Sequence, residues 1–306
     1  RALAILLTLA VLAPASSVFA AGLTLRHHSA AAQGRGLAIA AKLDDPSTTF
    51  FNPAGIVFLD GVQAQVNGTT VVPGFAWQDP DGEEEDAALV DPLLVMPAVY
   101  LTARLMDKVA LGLSANVPYG LKLQYPDDWP GNAFVQQTEL VIPMINPNVS
   151  FEIADGVAIA IGAFLSPSTV EIVRPTVTLN ASAVGVGGTF GVQAHVDRWH
   201  MGLAYQSRFK LGFEGDADFV EGFFADQPVP SDIIMPDVAS LGVGYDVTEK
   251  LYVEVDINHT GWSSIDELAM KFPEAEIPLL NDNPNPPQNP APLRWEDAFC
   301  YRLGLQ

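Results

Sequence analysis

Few side chains in this sequence are spaced for catalysis or for metal binding. Residues 79–86, Asp-Pro-Asp-Gly-Glu-Glu-Glu-Asp, offer carboxylates to a cation but lack the twelve-residue spacing of a calcium loop, so we interpret them as a solvated loop. His27 and His28 are adjacent, yet no cysteine or carboxylate cluster completes a metal site around them. Gly-x-Ser-x-Gly and His-Glu-x-x-His are absent from the sequence. The sequence therefore predicts a protein that is not an enzyme and has no metal or cofactor.

The elements that would position these side chains are predicted strands, in which apolar and polar residues alternate with a period of two. In residues 251–258, Leu251, Val253, Val255 and Ile257 share one face, and Glu254, Asp256 and Asn258 share the other. Residues 157–163 and 190–196 repeat this alternation. Carboxylates are costly on a face that contacts hydrocarbon, so the polar faces must line a lumen or contact water.

About ten such strands are predicted, near residues 56–72, 92–105, 109–122, 137–153, 157–173, 186–196, 199–215, 235–246, 251–266 and 293–306. Very short connections at 106–108, 154–156, 197–198 and 247–250 alternate with long ones at 73–91, 123–136, 174–185, 216–234 and 268–292. Tight turns at one end and long loops at the other are typical of barrels in an outer membrane. The sequence thus predicts an all-β fold, a transmembrane antiparallel β-barrel with periplasmic turns and extracellular loops.

Composition agrees with a membrane barrel. The chain has 306 residues, 49% of them hydrophobic, together with a net charge of −21, so apolar and charged surfaces must be segregated. The acidic balance argues against nucleic acid as a partner, because a phosphate backbone needs a basic surface. Residues 1–20 are apolar and end in small residues, which predicts a signal peptide cleaved near Ala20. Cys300 is the only cysteine, so an internal disulfide is excluded.

Residues 21–55 differ from the rest of the chain. Alanine and glycine dominate residues 29–41, followed by Pro46 and by Asn52-Pro53-Ala54-Gly55. Alanine favours helix, whereas glycine and proline limit it to short pieces, so we expect a compact helical plug. The predicted organisation is a signal peptide (1–20), an N-terminal hatch (21–55) and an incomplete barrel (56–306). The tenth strand ends without a following turn, so we expect further strands beyond it.

Several motifs resemble the long-chain fatty acid transporter (FadL/TodX) family of Gram-negative outer-membrane proteins. The resemblance rests on Asn52-Pro53-Ala54 in the hatch and on an ordered set along the barrel. That set comprises Tyr119-Gly120-Leu121, residues 205–210 (Tyr-Gln-Ser-Arg-Phe-Lys), Met235-Pro236, residues 260–263 (Thr-Gly-Trp-Ser) and residues 295–299 (Trp-Glu-Asp-Ala-Phe). The resemblance implies a fourteen-stranded barrel, plugged by its hatch, that carries hydrophobic molecules inward without energy input.

The resemblance also implies a route. Ligand would enter an apolar pocket, shift the hatch, and leave sideways through a kink in the third strand, here at Pro118, Tyr119 and Gly120. Proline cannot donate to a strand ladder and is expected at bulges or edges, so a break there is physically reasonable. The alternative is an ordinary strand end that enters a loop.

By alignment with the family's basic pocket residues, Arg174 and Arg294 are predicted partners for a carboxylate head group; either could instead be a loop cation. Phe50, Phe51, Phe164 and Leu165 are predicted pocket walls, although barrel aromatics also form interfacial girdles. The expected partners are a hydrophobic small molecule and outer-membrane lipid and lipopolysaccharide, and the expected state is a monomer.

Two other functions stay open. A general diffusion porin or adhesin-like barrel would pass small polar solutes, and a soluble β-sandwich would also show alternating strands. An apolar pocket gains roughly 0.8 kcal/mol per buried methylene, which an aqueous pore does not offer. The sequence does not distinguish fatty acids from aromatic hydrocarbons as substrate.

Overall fold

The computed structural model describes residues 23–77, 87–90, 93–132, 135–220, 226–265, 267–268, 291–292 and 295–306. The predicted signal peptide, the acidic stretch 79–86 and Arg294 lie outside these residues. Within the described part of the chain, no helix is long and apolar enough to cross a membrane.

Strands make up most of the described structure. In chain order they are β1 (Val62–Val71), β2 (Ala76–Trp77), β3 (Ala87–Ala88), β4 (Leu94–Met106), β5 (Val109–Gln124), β6 (Gln137–Ala154), β7 (Val157–Arg174), β8 (Val177–Val196), β9 (Trp199–Gln206), β10 (Phe209–Phe219), β11 (Gln227–Pro228), β12 (Ser231–Met235), β13 (Val238–Thr248), β14 (Leu251–Thr260), β15 (Glu267–Leu268), β16 (Ala291–Pro292) and β17 (Ala298–Leu305). The helical elements are α1 (Ala30–Gly34), α2 (Thr48–Phe51) and two 3-10 segments, Pro53–Phe58 and Trp262–Ser264.

One antiparallel sheet forms the wall. Its hydrogen-bonded order is β1-β4-β5-β6-β7-β8-β9-β13-β14-β17, and β10 continues β9 while pairing with β8, β11 and β12. Short turns join the neighbouring pairs β4–β5, β6–β7, β7–β8, β8–β9 and β13–β14, whereas longer connections join the other neighbours. The predicted tight turns at 106–108, 154–156, 197–198 and 247–250 are all confirmed.

Four predicted boundaries are wrong. The connection 174–185 is a two-residue turn, Pro175-Thr176, because β8 already begins at Val177 and its alternation continues through Asn180 and Ser182. The first strand begins at Val62, since residues 53–58 form a 3-10 helix. The strand expected at 199–215 is divided into β9 and β10, and β14 ends at Thr260 before a 3-10 turn.

The two faces of the wall differ as the alternation predicts. On β4, Met96, Ala98 and Tyr100 are buried toward the interior, while Val95 and Leu101 are exposed on the outside. Because successive strand side chains point to opposite faces, this arrangement places an apolar band outside.

The N-terminal segment lies inside the wall. The 3-10 helix at residues 53–58 contacts β4, β5, β6, β7 and β8. On the other side, hatch backbone reaches β14 at Asp256 and β17 at Gly304, and Ser47 N–H donates to Gln65 of β1. The hatch is therefore enclosed by the wall strands.

Candidate functional site

An apolar cavity of about 230 Å³ lies inside the wall. It lies between β5, β6, β7, β8, β10 and β12, near the ends of the strands that carry the long connections. All of its lining side chains are apolar except Thr138 and Ser231; they are Leu23, Leu121, Thr138, Leu140, Val170, Ile172, Leu179, Ala181, Phe213, Val229, Ser231, Ile233, Met235, Ile265 and Trp295. A cavity of this composition suits a hydrophobic ligand, because its polar groups are too few to hold a charged one.

Leu23 links this cavity to the hatch and to the third wall strand, β5. Residues 23–25 run beside β5, where Leu25 N–H donates to the Pro118 carbonyl at 2.7 Å and Thr24 forms a bridge with Tyr119. The β5–β6 ladder shifts register between Asn116 and Tyr119. Furthermore, β5 pairs with β4 only as far as Ala115. The N-terminal segment therefore covers an irregular stretch of wall at the predicted kink.

The Asn52-Pro53-Ala54 motif fixes the end of the hatch to β8. The Asn52 side chain caps the 3-10 helix by accepting from Ala54 N–H at 3.3 Å. Its amide nitrogen donates to the Ala40 carbonyl at 2.7 Å and to the Val192 carbonyl at 3.0 Å. One buried amide thus connects two parts of the hatch with the wall, which explains why an asparagine suits this position.

A second attachment joins the hatch to β14. Glu254 pairs with Arg35 at 2.7 Å and accepts from Ala41 N–H at 2.7 Å. Asp256 accepts from the N–H groups of Ile39 and Ala40 at 2.8 and 3.0 Å. The carboxylates that the sequence placed on an interior face therefore bind the hatch and do not line an open pore.

Close approach of backbones supports this attachment. A Cβ atom on Gly242 would lie 2.9 Å from the Ala40 Cβ, and one on Gly202 would collide with the Ala40 carbonyl. Glycines on β9 and β13 thus allow the hatch chain to rest directly on the wall.

The predicted pocket walls separate into two groups. Phe50 and Phe51 lie together in the hatch, with ring centroids 5.0 Å apart, and Phe164 is buried in the cluster that borders the cavity. Leu165 is on the outer face with 53% of its surface exposed. The prediction for Leu165 is wrong, because neighbouring residues of a strand face opposite sides and Phe164 takes the inner one.

Arg174, the predicted cation that lies among the described residues, does not line the cavity. Arg174 lies half-buried at the end of β7, and its Nε has no hydrogen-bond partner in the described structure. Arg26, which sequence reasoning missed, lies inside the wall with its guanidinium carbon 5.8 Å from the Phe50 ring and 5.9 Å from the Phe51 ring. Burial lowers the pKa of Arg26 to about 10, so Arg26 stays charged at neutral pH. The sequence signal that could have pointed to Arg26 was its position directly before His27 and His28.

His28 is buried beside Phe50, with the two rings edge to face at 5.4 Å. Burial, with the Arg26 charge as a second cause, lowers the pKa of His28 to about 4. Among the residues described, no group of three or more His, Cys, Asp and Glu side chains is arranged to hold a metal ion. His28 therefore functions as a neutral packing residue of the hatch at physiological pH.

Comparison with known proteins agrees with this geometry. Residues 11–305 match the family described as outer membrane protein transport protein (OMPP1/FadL/TodX). Outer membrane protein P1 of Haemophilus influenzae is 25% identical over 89% of this chain and 72% of its own length.

Solved structures show the same fold. A FadL homologue of Pseudomonas aeruginosa aligns with a TM-score of 0.70 and 17% identity, covering 93% of this chain and 77% of the other. The toluene transporter TodX of P. putida aligns with a TM-score of 0.66 and 15% identity, covering 91% and 79%. The predicted β-barrel fold is thereby confirmed. The chain belongs to the OMPP1/FadL/TodX family of outer-membrane transport proteins, which are Gram-negative β-barrels and not enzymes.

Proposed function

We propose that this protein carries hydrophobic compounds passively across the outer membrane by way of the 230 Å³ cavity. The observation that carries the proposal is the cavity lining, in which Thr138 and Ser231 are the only polar side chains among the described residues. Each methylene buried there gains roughly 0.8 kcal/mol, whereas a small polar solute gains nothing. Relatives named as a toluene transporter and as a monoaromatic hydrocarbon channel support the same class of cargo.

The proposed route passes the N-terminal segment. Leu23 lines the cavity, and the next two residues cover β5 at Pro118 and Tyr119. A ligand that fills the cavity would therefore compete with Leu23 for apolar contacts. Displacement of residues 23–25 would uncover the irregular stretch at Pro118, Tyr119 and Gly120, from which the ligand leaves sideways into the membrane.

The firmly attached part of the hatch would stay in place during this step. Residues 35–41 are bound to Glu254 and Asp256, and residues 52–54 to β8. The part ahead of them, residues 23–34, contacts the wall through fewer polar bonds. We therefore assign gating to residues 23–34 and anchoring to the Asn52-Pro53-Ala54 motif.

A cargo with a carboxylate head group needs a cation, because charge-assisted hydrogen bonds are the strong ones. We propose Arg26, beside Phe50 and Phe51, as that cation, and Arg174 as a second one at the outer end of β7. Arg294 lies outside the described residues, so its role as a partner for a carboxylate head group rests on the sequence-based prediction alone.

Reconstituted liposomes test the proposal. The full-length protein should raise the transfer rate of toluene, or of a long-chain fatty acid, at least tenfold over empty liposomes, and it should leave sugar-driven swelling unchanged. Swelling in sugars without any binding of hydrophobic compounds would establish a general diffusion porin in its place.

A further inference from the structure

The wall has a second break, between β8 and the strand formed by β9 and β10. β8 pairs with β10 from Val177 to Ser182 and with β9 from Thr189 to Val196. Gly188 is tied to Ser207 by two hydrogen bonds of 2.9 Å. Residues 183–187 have no ladder partner on this side among the described strands.

The two strands that border the break, β8 and β10, each pair with another strand on the side away from the break. β7 pairs with β8 throughout this stretch, from Ser168 with Ala183 to Phe164 with Gly187. Likewise, β12 pairs with β10 from Met235 with Phe209 to Ser231 with Phe213. The separation therefore belongs to this one seam and does not reflect a general loosening of the sheet.

Along the seam, backbone groups of β8 have no ladder partner among the described strands. Antiparallel ladders use alternate residues, so after Gly188 the next groups that point across the seam are those of Val186 and Val184. The side chains of these two valines face outward, 63% and 68% exposed. Unpaired backbone groups are costly in hydrocarbon, so a seam without a function would be expected to close.

Side chains from inside fill the seam. A Cβ on Gly185 would lie 2.6 Å from the Phe209 ring and 2.9 Å from Leu211, and one on Gly187 would collide with Phe164. Phe164 and Phe209 pack edge to face, 5.1 Å between centroids. The two glycines thus replace wall side chains with bare backbone, and aromatic rings cover it.

The same rings border the cavity. Phe209 and Leu211 belong to the apolar cluster that includes the cavity residues Phe213 and Met235. Phe209 also lies 6.4 Å from Tyr119 at the first break. The Phe209 ring therefore stands between the cavity and the seam. The side chains that fill the seam, Phe209, Leu211 and Phe164, are apolar, and the Ser207 hydroxyl accepts from Gly188 N–H at its edge.

We propose that the seam between β8 and β10 is a second lateral portal for uncharged apolar compounds, with Phe209 as its gate. The proposal rests on the proposed transport function. Rotation of Phe209 away from Gly185 would connect the cavity directly with the membrane, alongside the exit at Tyr119.

Cross-linking across the seam tests the portal. If the register that pairs Ser182 with Glu214 continued, Val184 would face Gly212, so the variant carries Val184→Cys and Gly212→Cys together with Cys300→Ser. The matched control carries Ile161→Cys and Phe190→Cys, which are paired across the intact β7–β8 seam. Each full-length protein is reconstituted and treated with a short bis-maleimide, and pyrene transfer into the bilayer is measured before and after.

The portal predicts at least a twofold loss of pyrene transfer on cross-linking Val184→Cys with Gly212→Cys, and no change in the control. Phe209→Ala, without cross-linker, should raise the rate at least twofold. An unchanged rate after complete cross-linking would overturn the portal while leaving the proposed function intact. Absence of pyrene transfer before cross-linking would instead overturn the proposed function.

Discussion

Arg35 of the hatch and Glu254 of β14 form a buried ion pair, Nη2 to Oε2 2.7 Å, with exposed side-chain fractions of 7% and 0%. Tyr252 donates a further hydrogen bond of 2.6 Å to the same carboxylate oxygen. Since Glu254 also accepts from Ala41 N–H, one wall side chain holds two points of the hatch. This carboxylate therefore ties two separate points of the hatch to β14.

Removing the Glu254 charge should release this part of the hatch. Breaking a buried pair leaves an unpaired charge and costs about 3–5 kcal/mol. We expect Glu254→Gln to raise hydrogen exchange of the amides of residues 39–41 by at least about 100-fold. The control is Asp155→Asn, which removes the exposed Lys108–Asp155 pair and should change nothing measurable. Equal protection in both variants would show that the hatch is held by other contacts.

Asn52→Ala should loosen the hatch at its other attachment. The change removes the donors to the Ala40 and Val192 carbonyls and costs about 1–3 kcal/mol, since buried acceptors lose their partner. Limited proteolysis should then cut within residues 40–58 at least tenfold faster. Asn180→Ala, on the exposed outer face, serves as the control. Identical cleavage rates would rule out an anchoring role for the motif.

Filling the cavity should weaken binding. Ala181 faces the cavity, so Ala181→Leu occupies space that ligand methylenes would use, each worth roughly 0.8 kcal/mol. We expect at least a tenfold loss of affinity for hydrophobic ligands in titrations of the detergent-solubilised protein. Leu165→Ala changes an outward side chain and should leave affinity unaltered. If Leu165→Ala weakened binding and Ala181→Leu did not, the ligand would sit elsewhere.

Substitution of Arg26 should affect fatty acids and neutral hydrocarbons differently. Arg26→Gln removes a cation held over Phe50 and Phe51. A charge-assisted hydrogen bond contributes about 1.5–3 kcal/mol, so fatty acid affinity should fall at least tenfold while affinity for a neutral hydrocarbon stays within twofold. Parallel titrations with both ligands provide the measurement. An equal loss for both would mean that Arg26 supports the hatch and does not bind a head group.

His28 should make hatch stability dependent on pH. Burial lowers the pKa of His28 from 6.5 to about 4 in the folded hatch, so between these values the unfolded segment binds more protons than the folded one. Stability is therefore constant above about pH 6.5 and falls as pH decreases toward 4. We expect exchange protection of residues 23–34, corrected for intrinsic rates, to drop over this window. His28→Phe should remove most of the drop and leave the contribution of His27, whose pKa burial also lowers. Persistence of the full drop in that variant would assign it to another group.

Local sequence determined the fold class and four of the tight turns, but it did not identify the turn at Pro175-Thr176. The period of two in residues 251–258 arises from neighbouring side chains, and the tight turns lie between strands that pair with each other directly. The alanine- and glycine-rich composition of residues 29–41 likewise indicated a locally folded hatch, because alanine favours helix whereas glycine and proline keep helices short.

Tertiary structure decided where the cavity forms and which side chains of each strand face the interior. Phe164 and Leu165 are adjacent and both apolar, so only the pairing register decides which of them faces inward. Leu23 and Trp295 meet in one cavity although the whole barrel sequence separates them. The position of Arg26 depends on how the hatch rests against glycines of distant strands. Alternation is a property of near neighbours and can be predicted from the sequence. A cavity is formed by contacts between residues that only the pairing and curvature of distant strands bring together.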